Sequence, residues 1–405
     1  RHANRCYKNS LHCLPGGLIS HNNGTDSIDM RVFYAAPDYA LDRNTIVTNL
    51  WRANLYDSLV DLGHELVEFN IDYEPFNYCL DPQTTEQHDT VRKNRARFSE
   101  RLLDQVRAAH RQSPIDLFFS YFYSAYVESD AIAEIRRLGI PTVNWYCNAS
   151  YQFHLVKEIA PAYDFCLVPE KFRMQDYRDA GANPIYCQEA SNPNVYRPYD
   201  VAETYNVTFV GQKYGNRPGC LGALHQAGVD ARAWGPHWMD SEVPRWSRRL
   251  RDQLRSRLWG VKQPPSLPLE HCGPPLEDQQ LIEMYSRSRI SLGFSSVAEI
   301  PKDGSPAIKQ VRLRDFEATM SGAFYLVEAY DELTEFFEPD QEIVFFGCEQ
   351  ELIEKAKYYL THDEERNRIR AAGLRRARAE HTWQKRFVDV FDQIGLDHRS
   401  ILGAA

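Results

Sequence analysis

The sequence predicts an α/β protein of two doubly wound, parallel-sheet domains. Three observations carry this. Short apolar runs alternate with amphipathic helical stretches along most of the 405 residues. The alternation stops in a proline-bearing stretch after Cys187 and restarts at Tyr205. The length suits two domains, and strands separated by helices pair in parallel.

In the first half, Arg31 to Ala36 reads as a buried strand. Thr48 to Leu62 is an amphipathic helix stopped at Gly63, and Glu65 to Phe69 is the next strand. A long helix, Asp81 to Gln112, follows with Phe98, Leu102, Leu103 and Val106 as its apolar stripe. Then come strand Ile115 to Phe119, helix Ser129 to Leu138, strand Pro141 to Tyr146, a helix near Tyr151 to Ile159 and strand Asp164 to Val168. Helix Glu170 to Ala180 and strand Pro184 to Cys187 close the first domain, residues 30–190. Residues 191–204, with two prolines and few apolar side chains, read as a linker.

In the second half, Tyr205 to Val210 is a strand, Gly211 to Pro218 a glycine-punctuated turn and Gly219 to Ala227 a helix. Asp230 to Trp234 is a strand, Trp246 to Trp259 a basic helix, and Val261 to Leu269 an irregular segment. Helix Glu277 to Ser288 and strand Arg289 to Phe294 lead to the stretch AIKQVRLRDFEATMSGAFYLV, Ala307 to Val327. There Leu313, Phe316 and Met320 mark a helix, Ser321-Gly322 ends it, and Ala323 to Val327 is a strand. Helix Asp331 to Phe337, strand Glu342 to Phe346 and three helices up to Ile394 complete the chain, with residues 205–380 as the second domain and 381–405 as a helix and tail.

The totals exclude several classes. A net charge of −9 argues against a nucleic-acid binder, which needs a basic face. No apolar run reaches the ~18 residues of a membrane span. Residues 1–29 are polar and broken by Pro15, Gly16, Gly17 and Gly24, so they read as a disordered lead or non-native segment, with Met30 as the natural start. The nine cysteines are scattered and form no CxxC pair. Free thiols in a reducing cytosol fit this better than a zinc site or a disulfide frame.

Ligands of open parallel sheets bind beyond the carboxyl ends of the strands, so the loops there hold the candidate site. Lys309, Arg312 and Arg314 gather at a helix N-terminus, which already favours an anion, and Glu317 sits one turn in. Cations there suit a phosphate, and the carboxylate suits a vicinal diol. The same pattern also describes a solvated helix face. In GQKYGNRP, Gly211 and Gly215 permit close backbone approach, and Lys213, Tyr214 and Arg217 flank it, which fits a diphosphate or an ordinary β–α loop. His271 to Gly273 fits a short loop that packs a nucleobase against backbone amides, and fits better a plain loop with one exposed histidine. His154 is the candidate sugar contact or base, although a lone histidine is more often an ordinary surface or core residue, with Asp38, Asp42 and Asp164 as further acceptor-side groups.

Three runs, VTFVGQKYGNRPGCLGALHQAGVDARAWGPHW, LEHCGPPLEDQQLIEMYSRSRISLGFS and IKQVRLRDFEATMSGAFYLVEAYDELTEFFEPDQEIVFF, resemble the C-terminal domain of GT-B glycosyltransferases. The CgeB-like, spore-maturation-type branch is the nearest, and YRDAGANPIYCQEASNPNVYRP is similar to its linker. The resemblance implies two Rossmann-like domains facing a cleft, with final helices crossing back onto the first domain. It also implies a metal-independent cytoplasmic transferase without a cofactor, moving sugar from a nucleoside diphosphate sugar to a polysaccharide, lipid or small-molecule hydroxyl. Glu317 matches the family glutamate that holds the ribose, and Arg217 and Arg312, with Lys309 nearby, match its phosphate-side cations. Gly322 and Ala323 match its small-residue turn. One position departs: many retaining relatives carry a second glutamate eight positions before the ribose glutamate, where this chain has Lys309. Two other readings use the same fold: a nucleotide-sugar epimerase or hydrolase, which needs a carboxylate pair in the cleft, and a non-catalytic sugar-binding protein.

Overall fold

A computed structural model describes residues 30–37, 49–77, 79–240, 266–297 and 307–396. The expected lead, the Trp246 to Trp259 helix, Asp38 and Asp42 lie outside the described residues.

The first domain is a parallel six-stranded sheet of order β2-β1-β3-β4-β5-β6. Its strands are β1 (Arg31–Ala35), β2 (Glu65–Glu68), β3 (Leu117–Ser120), β4 (Thr142–Trp145), β5 (Phe165–Val168) and β6 (Pro184–Tyr186). The strands are short and apolar because both faces are covered. Helices α1 (Asp57–Asp61), α2 (Thr85–Gln112), α3 (Ser129–Arg137), α4 (Ala149–Gln152) and α5 (Met174–Asp179) connect them. α2 starts on a capping box: Gln87 N donates to Thr84 Oγ1, and the Gln87 side chain accepts from Thr84 N. It buries Phe98, Leu102 and Val106 of the predicted stripe; Leu103 is only partly buried.

The second sheet has the order β12-β11-β10-β7-β8-β9, again all parallel. Its strands are β7 (Tyr205–Val210), β8 (Ala231–Trp234), β9 (Cys272–Gly273), β10 (Ser288–Gly293), β11 (Tyr325–Glu328) and β12 (Val344–Phe346). Helices α6 (Arg217–Gln226), α7 (Asp278–Arg287), α8 (Leu313–Met320), α9 (Glu349–Thr361) and α10 (Asp363–Glu380) flank it. The chain then crosses back. Helix α11 (Trp383–Gln393) buries Trp383, Phe387, Val390 and Phe391 in the core of the first domain.

Several local readings change, among them the helix expected at Asp331 to Phe337, which is a 3-10 turn, Asp331–Glu335. The helix expected near Tyr151 to Ile159 is α4 followed by a 3-10 turn, Phe153–Leu155. The Thr48 to Leu62 helix includes a π-helical turn, Arg52–Tyr56. β9 holds two residues, too few to leave an alternating pattern, and its sequence reads as loop.

The loops after the strands meet between the domains. Ser150 Oγ, following β4, donates to Gln310 Oε1. Tyr186 OH donates to Glu332 at 3.1 Å, and Asn49 N donates to Asp278 at 2.8 Å. Close packing inside the second domain is set by Gly293, where a Cβ would stand 2.1 Å from Tyr325 OH. That hydroxyl donates to Asp315 at 2.7 Å. Gly293→Ala is therefore expected to displace Tyr325 and lower stability by about 1–3 kcal/mol, read by chemical denaturation. An unchanged midpoint would contradict this packing.

Candidate functional site

The second domain contributes a cage of cations. Arg217, at the start of α6, is 2% exposed. It donates to Gln212 O at 2.8 Å and to Tyr214 OH at 2.6 Å, and it lies 3.7 Å from the Tyr214 ring centroid. Arg312, at the N-cap of α8, donates to the same Tyr214 hydroxyl at 2.8 Å and to Ser296 O at 2.9 Å. One phenol oxygen thus holds two guanidinium groups together. Among the described residues neither arginine has a carboxylate at ion-pair distance. Burial, with Arg312 and Arg314 adding repulsion, presses Arg217 down to about 9. Arg314 stands behind, beside Gly211, where a Cβ would meet its guanidinium at 3.0 Å. Gly211 is therefore kept small by packing: Trp238 Nε1 also donates to its carbonyl at 2.6 Å.

Glu317, in α8, is 6% exposed, and burial raises its carboxyl above the usual range against a hydrogen bond from Tyr196. Asp315 fixes the helix start by accepting from Arg312 N at 2.8 Å, and burial lifts it to about 6. Gly322 adopts φ 74° after α8, so the turn requires glycine.

The other expected residues lie elsewhere. Lys309 donates to Ala329 O at 2.7 Å and pairs with Glu328 at 3.3 Å, so Glu328 already takes up its charge. Glu328, at the end of β11, also accepts from Ser296 N at 3.0 Å and Ser296 Oγ at 2.8 Å. His271 turns away from the cleft: its Nδ1 lies 3.1 Å from Ala231 O and 3.3 Å from Asp230, at the amino end of β8. Gly273 is held small by the Trp234 indole, which a Cβ would meet at 2.1 Å. Lys213 N donates to Pro236 O at 3.1 Å. His154 is exposed and pairs with Asp81 of its own domain at 3.2 Å. Asp164 is at the wrong end of its strand. It precedes β5 and accepts from Arg136 at 2.8 Å and from Thr142 N and Oγ1 at 2.9 Å each, a structural role.

Sequence reasoning missed the first-domain wall. Glu170 follows β5, and Glu189 follows β6. Glu170 is 3% exposed; its Oε1 accepts from Ser150 N at 3.1 Å, and its Oε2 has no hydrogen-bond partner among the described residues. Burial pushes Glu170 up to about 7. Burial, then the Glu170 charge, hold Glu189 well above the usual carboxylate range. The only signal in the sequence is a glutamate shortly after each apolar run.

The Glu170 shift has a sign. In the folded chain the carboxyl keeps its proton to about pH 7, against an ordinary value of 4.5. Below the ordinary value both states are protonated, and nothing is lost. Between the two values stability falls as pH rises, by about 3 kcal/mol in total. Glu170→Gln should remove that slope, so its advantage over the wild type grows from about pH 5 to about pH 8 in denaturation curves. An equal difference at both pH values would contradict the burial of this charge.

Residues 218–392 match the family model described as Glycosyl transferase-like. Sucrose-phosphate synthase from Thermosynechococcus elongatus superposes with TM-score 0.57 at 11% identity, over 91% of this chain and 100% of that one. The fold is GT-B. An alpha-glucosyltransferase solved with UDP-glucose and abasic-site DNA gives TM-score 0.60 at 12% identity, over 91% of this chain and 100% of that one. HepE from Anabaena, in complex with UDP-glucose, gives 0.51 at 12% identity with the same coverages. No curated protein matches the chain. The second half is therefore similar to a glycosyl transferase-like domain on a GT-B frame, and the arginine cage lies beyond the carboxyl ends of its strands β7 and β10. Among the described residues no helix is long and apolar enough to cross a membrane.

Proposed function

We propose that the chain moves a sugar from a nucleoside diphosphate sugar to a hydroxyl-bearing acceptor in the cleft. The carrying observation is the pair Arg217 and Arg312, joined through Tyr214 and, among the described residues, without a carboxylate at ion-pair distance. A diphosphate supplies the charge they lack, and as the sugar leaves it they stabilise the developing negative charge without a metal ion. Glu317, one turn into α8, takes the ribose hydroxyls. HepE, solved with UDP-glucose, supports the donor class. A cytoplasmic location, a place in the CgeB-like branch, the absence of a cofactor and a polysaccharide, lipid or small-molecule acceptor belong to the same proposal.

Glu317→Ala separates ribose from phosphate recognition. It is expected to weaken a nucleoside diphosphate about tenfold or more while inorganic pyrophosphate binds as before. Calorimetry with UDP, GDP, TDP, ADP and pyrophosphate reads this. Equal affinity of the variant for every nucleotide would remove the ribose role, and no binding of any of them would remove the donor site.

One observation favours a second reading, nucleotide-sugar hydrolysis: two buried carboxyl groups, Glu170 and Glu189, follow the carboxyl ends of adjacent strands β5 and β6. Product analysis without added acceptor separates the two, because a hydrolase turns over fully with water alone.

A further inference from the structure

The head group of Arg312 is held through a serine carbonyl, and that serine is held by a carboxylate. Arg312 Nη2 donates to Tyr214 OH at 2.8 Å and to Ser296 O at 2.9 Å. Its Nε is buried and has no hydrogen-bond partner among the described residues. The tyrosine bond joins Arg312 to Arg217, and the serine bond ties its head group to the loop beyond β10.

That loop is gripped from two sides. On one side it forms an antiparallel bridge with the run before α8: Val297 N donates to Ile308 O at 2.8 Å, and Gln310 N donates to Ser295 O at 3.1 Å. On the other stands Glu328, 8% exposed at the end of β11. Its Oε2 accepts from Ser296 N at 3.0 Å, its Oε1 accepts from Ser296 Oγ at 2.8 Å, and its carbonyl accepts from Ser295 Oγ at 2.8 Å. Both carboxylate oxygens thus close on one residue, which fixes the orientation of Ser296 as well as its place. Lys309 braces the same carboxylate at 3.3 Å and is itself held by Ala329 O at 2.7 Å. Without the Glu328 side chain, Ser296 N and Oγ need other acceptors. Turning the residue toward them takes its carbonyl off Arg312, because a hydrogen bond weakens steeply as it leaves the line.

We propose that Glu328 is a positioning residue for the donor diphosphate: by clamping Ser296 it holds the carbonyl that aims Arg312 at the anion, without touching the anion itself. This rests on the donor reading of the arginine pair. Two other roles differ in outcome. A carboxylate that only repels the anion tightens binding when it is removed. One that serves only the packing of β11 changes stability and leaves affinity as it was.

Calorimetry with UDP and inorganic pyrophosphate, beside thermal melts, tests three variants. Glu328→Ala should weaken both ligands alike, by about tenfold, because the fault lies on the phosphate side and Glu317 is untouched. Glu328→Gln still offers an oxygen to Ser296 N and an amide to its hydroxyl, so it should stay within about threefold of the wild type. Ser296→Ala, which loses only the hydroxyl bond, should fall between them. Unchanged or tighter binding by Glu328→Ala, or an equal loss in the alanine and glutamine variants, overturns the proposal. If Glu328→Ala does not fold, Ser296→Ala decides, and full affinity there overturns it. Binding of neither ligand by the wild type instead counts against the donor reading. Crystal structures of the free variants then decide the positioning role. The bond from Arg312 to Ser296 O should be lost in Glu328→Ala and kept in Glu328→Gln, and its persistence in Glu328→Ala would show that Glu328 does not aim Arg312.

Discussion

Arg217→Met is expected to abolish tight nucleoside diphosphate binding and to leave the free protein at least as stable as the wild type. Arg217 is a buried cation with no carboxylate partner among the described residues, and it faces Arg312 and Arg314. Taking a charge out of water costs several kcal/mol unless a partner offsets it. Among the described residues the free protein offsets it through Gln212 O, the Tyr214 hydroxyl and the faces of Tyr214, Phe209 and Phe294, at 3.7, 5.2 and 5.9 Å. Methionine fills similar space without the charge, so the free state gains. The liganded state loses charge-assisted bonds of about 1.5–3 kcal/mol each, at least tenfold in affinity. Thermal melts without ligand and calorimetry with UDP read the two effects, which have opposite signs. Unchanged affinity would show that the diphosphate binds elsewhere.

Trp383→Ala is expected to cost about 3–5 kcal/mol, the largest loss from any single truncation considered above. Trp383 is fully buried, 5.0 Å from Trp145 at a ring angle of 88° and 5.5 Å from Phe387. It is the first residue of α11, and Thr382 caps that helix by accepting from Lys385 N at 3.1 Å. The residue comes from the far end of the chain yet fills the core of the first domain, so its loss also loosens the crossing that ties the domains together. Gln384 donates to Asp61 at 2.8 Å, and Arg386 donates to Gln188 O at 3.2 Å. Trp383→Phe should recover part of the loss. Chemical denaturation checks both, and a loss below about 1 kcal/mol for Trp383→Ala would mean that α11 is only loosely docked.

The two α/β halves are legible in the sequence, because strand alternation, helical stripes and glycine stops are local signals written within a few residues. It showed the β7–α6 loop and the α8 start, where Arg217, Arg312 and Glu317 are spaced by single elements. It also suggested, through family resemblance, the return of the final helix. It could not show that one tyrosine hydroxyl joins Arg217 to Arg312, because those residues lie far apart in the chain and meet only through the order of the second sheet. His271 and Asp164 had suitable chemistry, but their strands put them at the amino ends, and a residue list carries no record of which end a side chain reaches. Lys309 appeared available until β11 brought Glu328 beside it. Glu170 and Glu189 are ordinary glutamates in sequence. Only tertiary structure removes water from them and so raises both carboxyls above the usual range.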